Sequence, residues 1–397
     1  MSVAQTDAGR AQGDERRAMG VACGAHALHD GYTDLVIVML PIWQAEFALS
    51  YAAVGALRGV LAGTMASFQI PSGMLSERLG TPLVLATGTA LAGLAYCLAV
   101  FTNSFTALIA ILFLVGLGAS TQHPLGSSLV AHAFSGTRSL KALGIYNFAG
   151  DLGKMAVPAT GALLVTVLPW RTTLALIGAI GLFVALAILL VTPRYRADDV
   201  RAVAEASDGA SGRGGFPALL AIGIIDSATR MGLLTFLPFL LAAKGASLPT
   251  IGFALTLVFV GGAAGKLVCA WIGARIGVVA TVWLTEGFTA LGILALLPLP
   301  LELGLVLLPL IGVALNGTSS VLYGSVPLMV TPESRTRAFS IFYTGTIGSG
   351  ALAPILYGFA GDALGVPLVL VLVSGIVLLT LPLVLAIRGR LAQAAAA

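Results

Sequence analysis

His26, Asp30 and Asp34 recur every four residues, with His29 between them, in the stretch His26-Ala27-Leu28-His29-Asp30-Gly31-Tyr32-Thr33-Asp34. On a helix that spacing puts side chains on one face. Carboxyls and imidazoles so placed can load and unload protons. The residues that follow, Leu35-Val36-Ile37-Val38-Met39-Leu40-Pro41, are almost wholly apolar, so the whole segment is long enough to cross a bilayer as a helix. An ionisable group at bilayer depth costs roughly 2.5–3.5 kcal/mol on insertion scales, and it usually marks a pathway or a relay. Asp30, Asp34, His26 and His29 are therefore expected to bind the coupling protons.

Further ionisable groups interrupt other apolar runs. Asp151 and Lys154 are one helical turn apart, as are Asp226 and Arg230, and each couple is expected to pair. His123 sits in Ser120-Thr121-Gln122-His123-Pro124, where proline would loosen a helix and open backbone groups to a cavity. Arg58, Lys266 and Glu286 are also buried in apolar runs, and Arg58 is placed where it can snorkel outward. The expected substrate contacts are His123, Gln122, Asp151, Lys154, Asp226 and Arg230, with Tyr146, Tyr343 and Asn316 as wall residues. His26, Asp30 and His123 are ligand types that suit a divalent transition metal, which leaves metal-ion export as an alternative. No cysteine joins them at ligand spacing, so no resident metal is expected.

The elements that must hold these groups follow from composition. Hydrophobic residues make up 58% of the 397 and charged residues 10%, with a mean hydropathy of +0.99. Soluble domains carry about 25% charged residues, so an all-α polytopic membrane protein is the class that fits. The 49 glycines suit close helix packing in lipid. Cys23, Cys97 and Cys269 lie within apolar segments, and no disulfide is expected.

A spanning helix needs about 20 apolar residues. Twelve runs qualify: 19–43, 53–75, 82–101, 105–133, 139–166, 171–192, 216–242, 249–272, 278–299, 303–330, 336–358 and 366–387. Residues 1–18 are expected as a cytoplasmic tail, 193–215 as a cytoplasmic linker between six-helix halves at 19–192 and 216–387, and 388–397 as a second tail. With both termini inside, fifteen of the 21 Lys and Arg fall on the cytoplasmic side and two on the other, as the positive-inside rule requires. The net charge of +4 is thus a topology signal and does not argue for nucleic acid.

The halves repeat at an offset of 197 residues, which pairs Pro41 with Pro238, Arg78 with Arg275, Gly80 with Gly277, Arg138 with Arg335, Tyr146 with Tyr343 and Gly153 with Gly350. Two six-helix halves enclosing a site near the midplane are a transporter architecture. No Gly-x-x-x-x-Gly-Lys-Ser/Thr loop is present to use ATP, and neither Gly-x-Ser-x-Gly nor His-Glu-x-x-His supports an enzyme.

Gly73-Met74-Leu75-Ser76-Glu77-Arg78-Leu79-Gly80 resembles the loop Gly-x-Leu-x-Asp-Arg-x-Gly of the major facilitator superfamily, with Glu77 for the aspartate and Thr81-Pro82 in place of its basic pair. The resemblance implies that Glu77 and Arg78, with Arg275 in the second half, act as a cytoplasmic gate. His26-x-x-x-Asp30, the run from Pro41 to Ser50, and Gln122-His123-Pro124 look like the fosmidomycin-resistance branch of drug exporters. Gly153-Lys154-Met155-Ala156-Val157-Pro158-Ala159-Thr160-Gly161 resembles the antiporter motif Gly-x-x-x-Gly-Pro-x-x-Gly, with Val157 for one glycine. These likenesses imply a proton-coupled antiporter of the inner membrane that exports a drug or metabolite. It would be driven by the proton gradient without a cofactor, in contact with substrate, protons and lipid, and complete as a monomer. Lys154, Arg230 and Lys266 leave open the alternative of uptake of an organic anion with protons.

Overall fold

The computed structural model describes residues 3–134, 137–193, 215–330 and 335–391. All of its regular structure among these residues is helical, and every expected span falls on a helical stretch. The expected linker and the last residues of the second tail lie almost wholly outside the described residues.

The first half contains α1 (Val3–Phe47), α2 (Tyr51–Leu79), α3 (Thr81–Leu98), α4 (Phe105–Ala119), α5 (Gln122–Ala133), α6 (Thr137–Leu164) and α7 (Trp170–Val191). The second contains α8 (Phe216–Ala243), α9 (Leu248–Leu296), α10 (Leu301–Ser325), α11 (Arg335–Leu364), α12 (Val366–Val377) and α13 (Thr380–Ala386). Ten helical segments among the described residues are long and apolar enough to cross a membrane. Helices α1 and α6, which carry the His, Asp and Lys groups, are not among these ten. Helix α1 starts at Val3, well before residue 19, because the intervening residues are mostly good helix formers. Glu15 anchors this extension by accepting a 2.6 Å bond from Arg138.

Local chemistry sets the helix ends. Gly80 takes φ 86° ahead of α3, and Gly277 takes φ 81° inside α9, dividing that element in two. Glycine adopts this left-handed conformation without a Cβ penalty. Both glycines occur at the same place in the 197-residue repeat, so the two halves share a turn as well as a sequence pattern. Ser104 caps α4 by accepting from Ala107 N at 3.2 Å. Helices α4 and α5 meet at Ser120–Thr121, the break expected in the fourth span.

The chain forms two compact units. One comprises Met1–Val36 with Gly63–Glu205, the other Ile37–Ala62 with Ala206–Ala397. In the first, α3 packs along α7 and α4. In the second, α10 packs along α9 and α11 along α8. The end of α1 and the start of α2 belong to the second unit, where glycines permit close approach to α11. A Cβ at Gly55 would strike the Pro354 backbone, and one at Gly358 would strike Tyr51 O. Phe183, Leu190 and Leu267 are each more than 70% exposed, an outward apolar surface that suits lipid.

Candidate functional site

His26, Asp30, His123 and Lys154 converge where α1 meets α6. Their approach depends on missing side chains. A Cβ at Gly153 would overlap Ala27 O, and one at Gly31 would overlap Val157. The valine that replaces a motif glycine on α6 is thus matched by a glycine on α1. A Cβ at Gly150 would lie 2.7 Å from both Asp30 Oδ2 and His26 Nε2. Gly150 therefore keeps open the space in which the polar groups meet.

Asp30 is the centre of this cluster and is only 6% exposed. Lys154 Nζ lies 3.2 Å from Asp30 Oδ2, and His26 Nε2 lies 3.3 Å from the same oxygen. His123 Nε2 lies 3.7 Å from Asp30 Oδ1. His26 is fixed from behind: its Nδ1 is 2.9 Å from Tyr146 O, and its ring stacks on Tyr146 at a centroid distance of 4.1 Å. Because that carbonyl can only accept, His26 Nδ1 carries a proton and Nε2 faces Asp30. Gln122 Nε2 donates to Tyr146 Oη at 3.3 Å, which ties α5 to α6. The His123 side chain is 42% exposed and that of Lys154 31%, so these two form the open side of the cluster.

His29 turns away from this group. Its Nε2 lies 2.9 Å from Thr89 Oγ1 on α3. The Thr89 hydroxyl donates to Leu85 O at 2.8 Å, so His29 Nε2 is the donor in the pair. His29 Nδ1 is buried without a hydrogen-bond partner among the described residues. Asp34 and Asp151 are buried within electrostatic reach of Lys154.

In the second unit Asp226 and Arg230 meet through Ser319. Ser319 Oγ donates to Asp226 Oδ2 at 2.6 Å and accepts from Arg230 Nη1 at 3.1 Å. The couple expected from helical spacing is thus bridged by a hydroxyl from α10. Asn316 packs against Gly262 and bonds weakly within its own helix, to Gly312 O at 3.4 Å. Tyr343 is 50% exposed and meets the Tyr323 ring at 4.9 Å. Among the described residues, no hydrogen bond joins Asn316 or Tyr343 to the Asp226–Ser319–Arg230 bridge. Arg58 does not snorkel: it is 6% exposed, and its Nη2 lies 3.6 Å from Met231 Sδ in the same unit. Glu77 and Arg78 are exposed in the last turn of α2, with no ion pair among the described residues. Arg275 stacks on Trp271 at 4.1 Å.

The partners that spacing did not reveal are Thr89 and Ser319. Both are neutral hydroxyls on helices distant in sequence, and nothing in their own surroundings marks them. Ligand atoms of His26, Asp30 and His123 lie within 4.8 Å of one another. The Lys154 ammonium already contacts the same carboxylate and would compete with a divalent cation for it.

Comparison with known proteins gives the frame for these clusters. The probable L-galactonate transporter of Escherichia coli (strain K12) is 27% identical over 143 residues, 36% of this chain and 32% of that protein. The fosmidomycin resistance protein of the same organism is 27% identical over 147 residues, 37% of this chain and 36% of that protein. The matched segments span about a third of the length of these relatives. A bacterial homolog of the human lysosomal transporter Spinster, solved inward-facing and unoccupied, has the same fold at a TM-score of 0.79. It is 15% identical and covers 96% of this chain and 98% of its own. The model of the Major Facilitator Superfamily matches twice, over residues 22–218 and 219–395, and its two starts reproduce the 197-residue offset of the repeat. The chain belongs to the Major Facilitator Superfamily and is a multi-pass membrane transporter, not an enzyme.

Proposed function

We propose that this transporter is a proton-coupled antiporter that exports a small organic compound, a drug or metabolite, by alternating access. The observation that carries the reading is Asp30, a buried carboxylate contacted by Lys154, His26 and His123. One negative charge faces three groups that can be positive. A proton gained or lost by either imidazole or by Asp30 therefore changes how strongly Lys154 is held. A substrate entering beside His123 and Lys154, the exposed members, competes for the same contacts. Binding of substrate and binding of protons then exclude each other, which is what exchange requires. Asp34 and Asp151, near Lys154, are the groups to which the proton passes. The likeness to the fosmidomycin resistance protein supports export.

In this reading the proton gradient is the energy source and no cofactor takes part. The chain works as a monomer in the inner membrane with both termini cytoplasmic, and Glu77, Arg78 and Arg275 hold the cytoplasmic gate. Lys154 also supports a second reading, uptake of an organic anion with protons, because its ammonium can hold a carboxylate or phosphonate once Asp30 is neutral.

Purified protein in sealed proteoliposomes under an imposed pH gradient tests this, with lumenal pH recorded while fosmidomycin or a lipophilic cation is added. Proton movement opposite to the compound is expected, and it is expected to disappear in Asp34→Asn. Proton movement with the compound overturns export in favour of uptake. Full exchange in Asp34→Asn removes Asp34 from the mechanism.

A further inference from the structure

The second unit holds a buried acid that the exchange scheme above does not use. Glu286, in the second half of α9, is 1% exposed, and its Oε1 has no hydrogen-bond partner among the described residues. The neighbouring hydroxyls are already committed. Thr285 Oγ1 donates to Thr281 O at 2.9 Å, and Thr318 Oγ1 lies 2.7 Å from Thr285 Oγ1 and 3.0 Å from Ala314 O. The charges within reach of Glu286 are Asp226 and Arg230, both on α8. Apart from Glu302 in the exposed first turn of α10, the helices α10, α12 and α13 packed on α9 bring only neutral groups.

Counting charge shows what is left over. Arg230 and Asp226 balance each other through Ser319. Among the described residues Glu286 has no cation of its own, and an unpaired carboxylate out of water is costly. Gaining a proton removes that charge. Arg230 offers the other solution, because its Nε is also buried without a partner.

The repeat supports this placement. The 197-residue offset sets Asp226 at the position of His29 and Glu286 at that of Thr89, and in the first unit those two residues are joined by a 2.9 Å hydrogen bond. A neighbouring contact repeats in the same way. Gly88 lies against the Thr121 hydroxyl in the first unit, and their counterparts Thr285 and Thr318 are hydrogen-bonded in the second. The second unit thus carries two carboxyls where the first has a histidine and a threonine.

We propose that Glu286 is a proton-binding site of the second unit, a neutral acid held beside the Asp226–Ser319–Arg230 bridge. Its O–H bond forms when a proton is taken up. When that proton leaves to water, the new carboxylate draws Arg230 from Ser319. The site lies in a different unit from Asp30, so it adds a second place for protons to the antiport reading without depending on that cluster.

The test reads protonation and not transport, so it can fail while antiport stands, and the reverse. Full-length protein reconstituted in lipid is titrated through the neutral range in buffer alone, with infrared difference spectra recorded in the carbonyl-stretch region of protonated carboxyls. The wild type is expected to show a neutral-acid band that shifts in heavy water. That band is expected to vanish in Glu286→Gln and to remain in Asp30→Asn and Asp34→Asn. Glu286→Asp, which keeps the acid if the glutamine variant does not fold, is expected to move the band without removing it. A band unaltered in both Glu286 variants, or no protonated-carboxyl band at any pH in the range, overturns the proposal.

Discussion

Lys154 Nζ lies 3.2 Å from Asp30 Oδ2 on α1, although Asp151, three residues away, shares its helix. This cross-helix pair organises the first unit's polar cluster and sets its energetics. Breaking a fully buried ion pair by removing one partner typically costs about 3–5 kcal/mol, because a charge is left uncompensated. The loss should be smaller for this pair because the Lys154 side chain is 31% exposed. Lys154→Gln and Asp30→Asn should each lower the unfolding midpoint in detergent. The double variant should lie closer to wild type than the sum of the two. Additive losses would show that the residues do not act as a pair.

The α1–α6 contact should be intolerant of a single methyl group. Gly153→Ala puts a Cβ into Ala27 O and should cost about 1–3 kcal/mol by overpacking. Gly144→Ala, on the same helix with nothing within 4 Å, should instead gain roughly 0.5–1 kcal/mol of helix propensity. Opposite signs in thermal unfolding of the two variants are the expected result. Equal effects would mean that close approach does not limit the packing.

Asp362 near the end of α11 serves as the cap of α2. Its Oδ1 accepts from Tyr51 N at 2.6 Å and its Oδ2 from Ala52 N at 3.0 Å. Asp362→Ala should cost about 0.5–2 kcal/mol, the usual loss for a helix cap, and Asp362→Asn should recover much of it. Calorimetry on the three proteins decides. An alanine variant as stable as wild type would show that water replaces the cap at no cost.

Arg78→Ala is expected to change the balance of conformations more than substrate affinity, if the exposed end of α2 acts as a gate. Distances between spin labels on the two halves, measured with and without fosmidomycin, report that balance. An unchanged distribution would remove Arg78 from gating.

Spacing alone placed the right groups on one face but named only some of their partners: Asp226 and Arg230 are bridged by Ser319, and Lys154 contacts Asp30 on another helix. His26 and Asp30 are one turn apart and touch at 3.3 Å, because the helix geometry that the apolar run imposes leaves them nowhere else to point. The repeat was legible for a similar reason. A left-handed turn before an element favours glycine, and Gly80 and Gly277 stand at the two equivalent places. The membrane class followed from composition, since no soluble core hides so many apolar residues.

What spacing could not supply was each helix's rotation against its neighbours. That rotation is decided by glycines such as Gly31, Gly150 and Gly153, whose missing side chains let α1 and α6 approach in one register only. The register sends Lys154 to Asp30, turns His29 towards Thr89, and leaves Asn316 and Tyr343 away from the second unit's bridge. The same packing brings Ser319 between Asp226 and Arg230 and leaves Glu286 Oε1 without a donor among the described residues. By itself the sequence determined which faces are polar and how the halves correspond. Tertiary packing decided which polar groups meet, because a partner across a helix interface is chosen by steric fit and not by position along the chain.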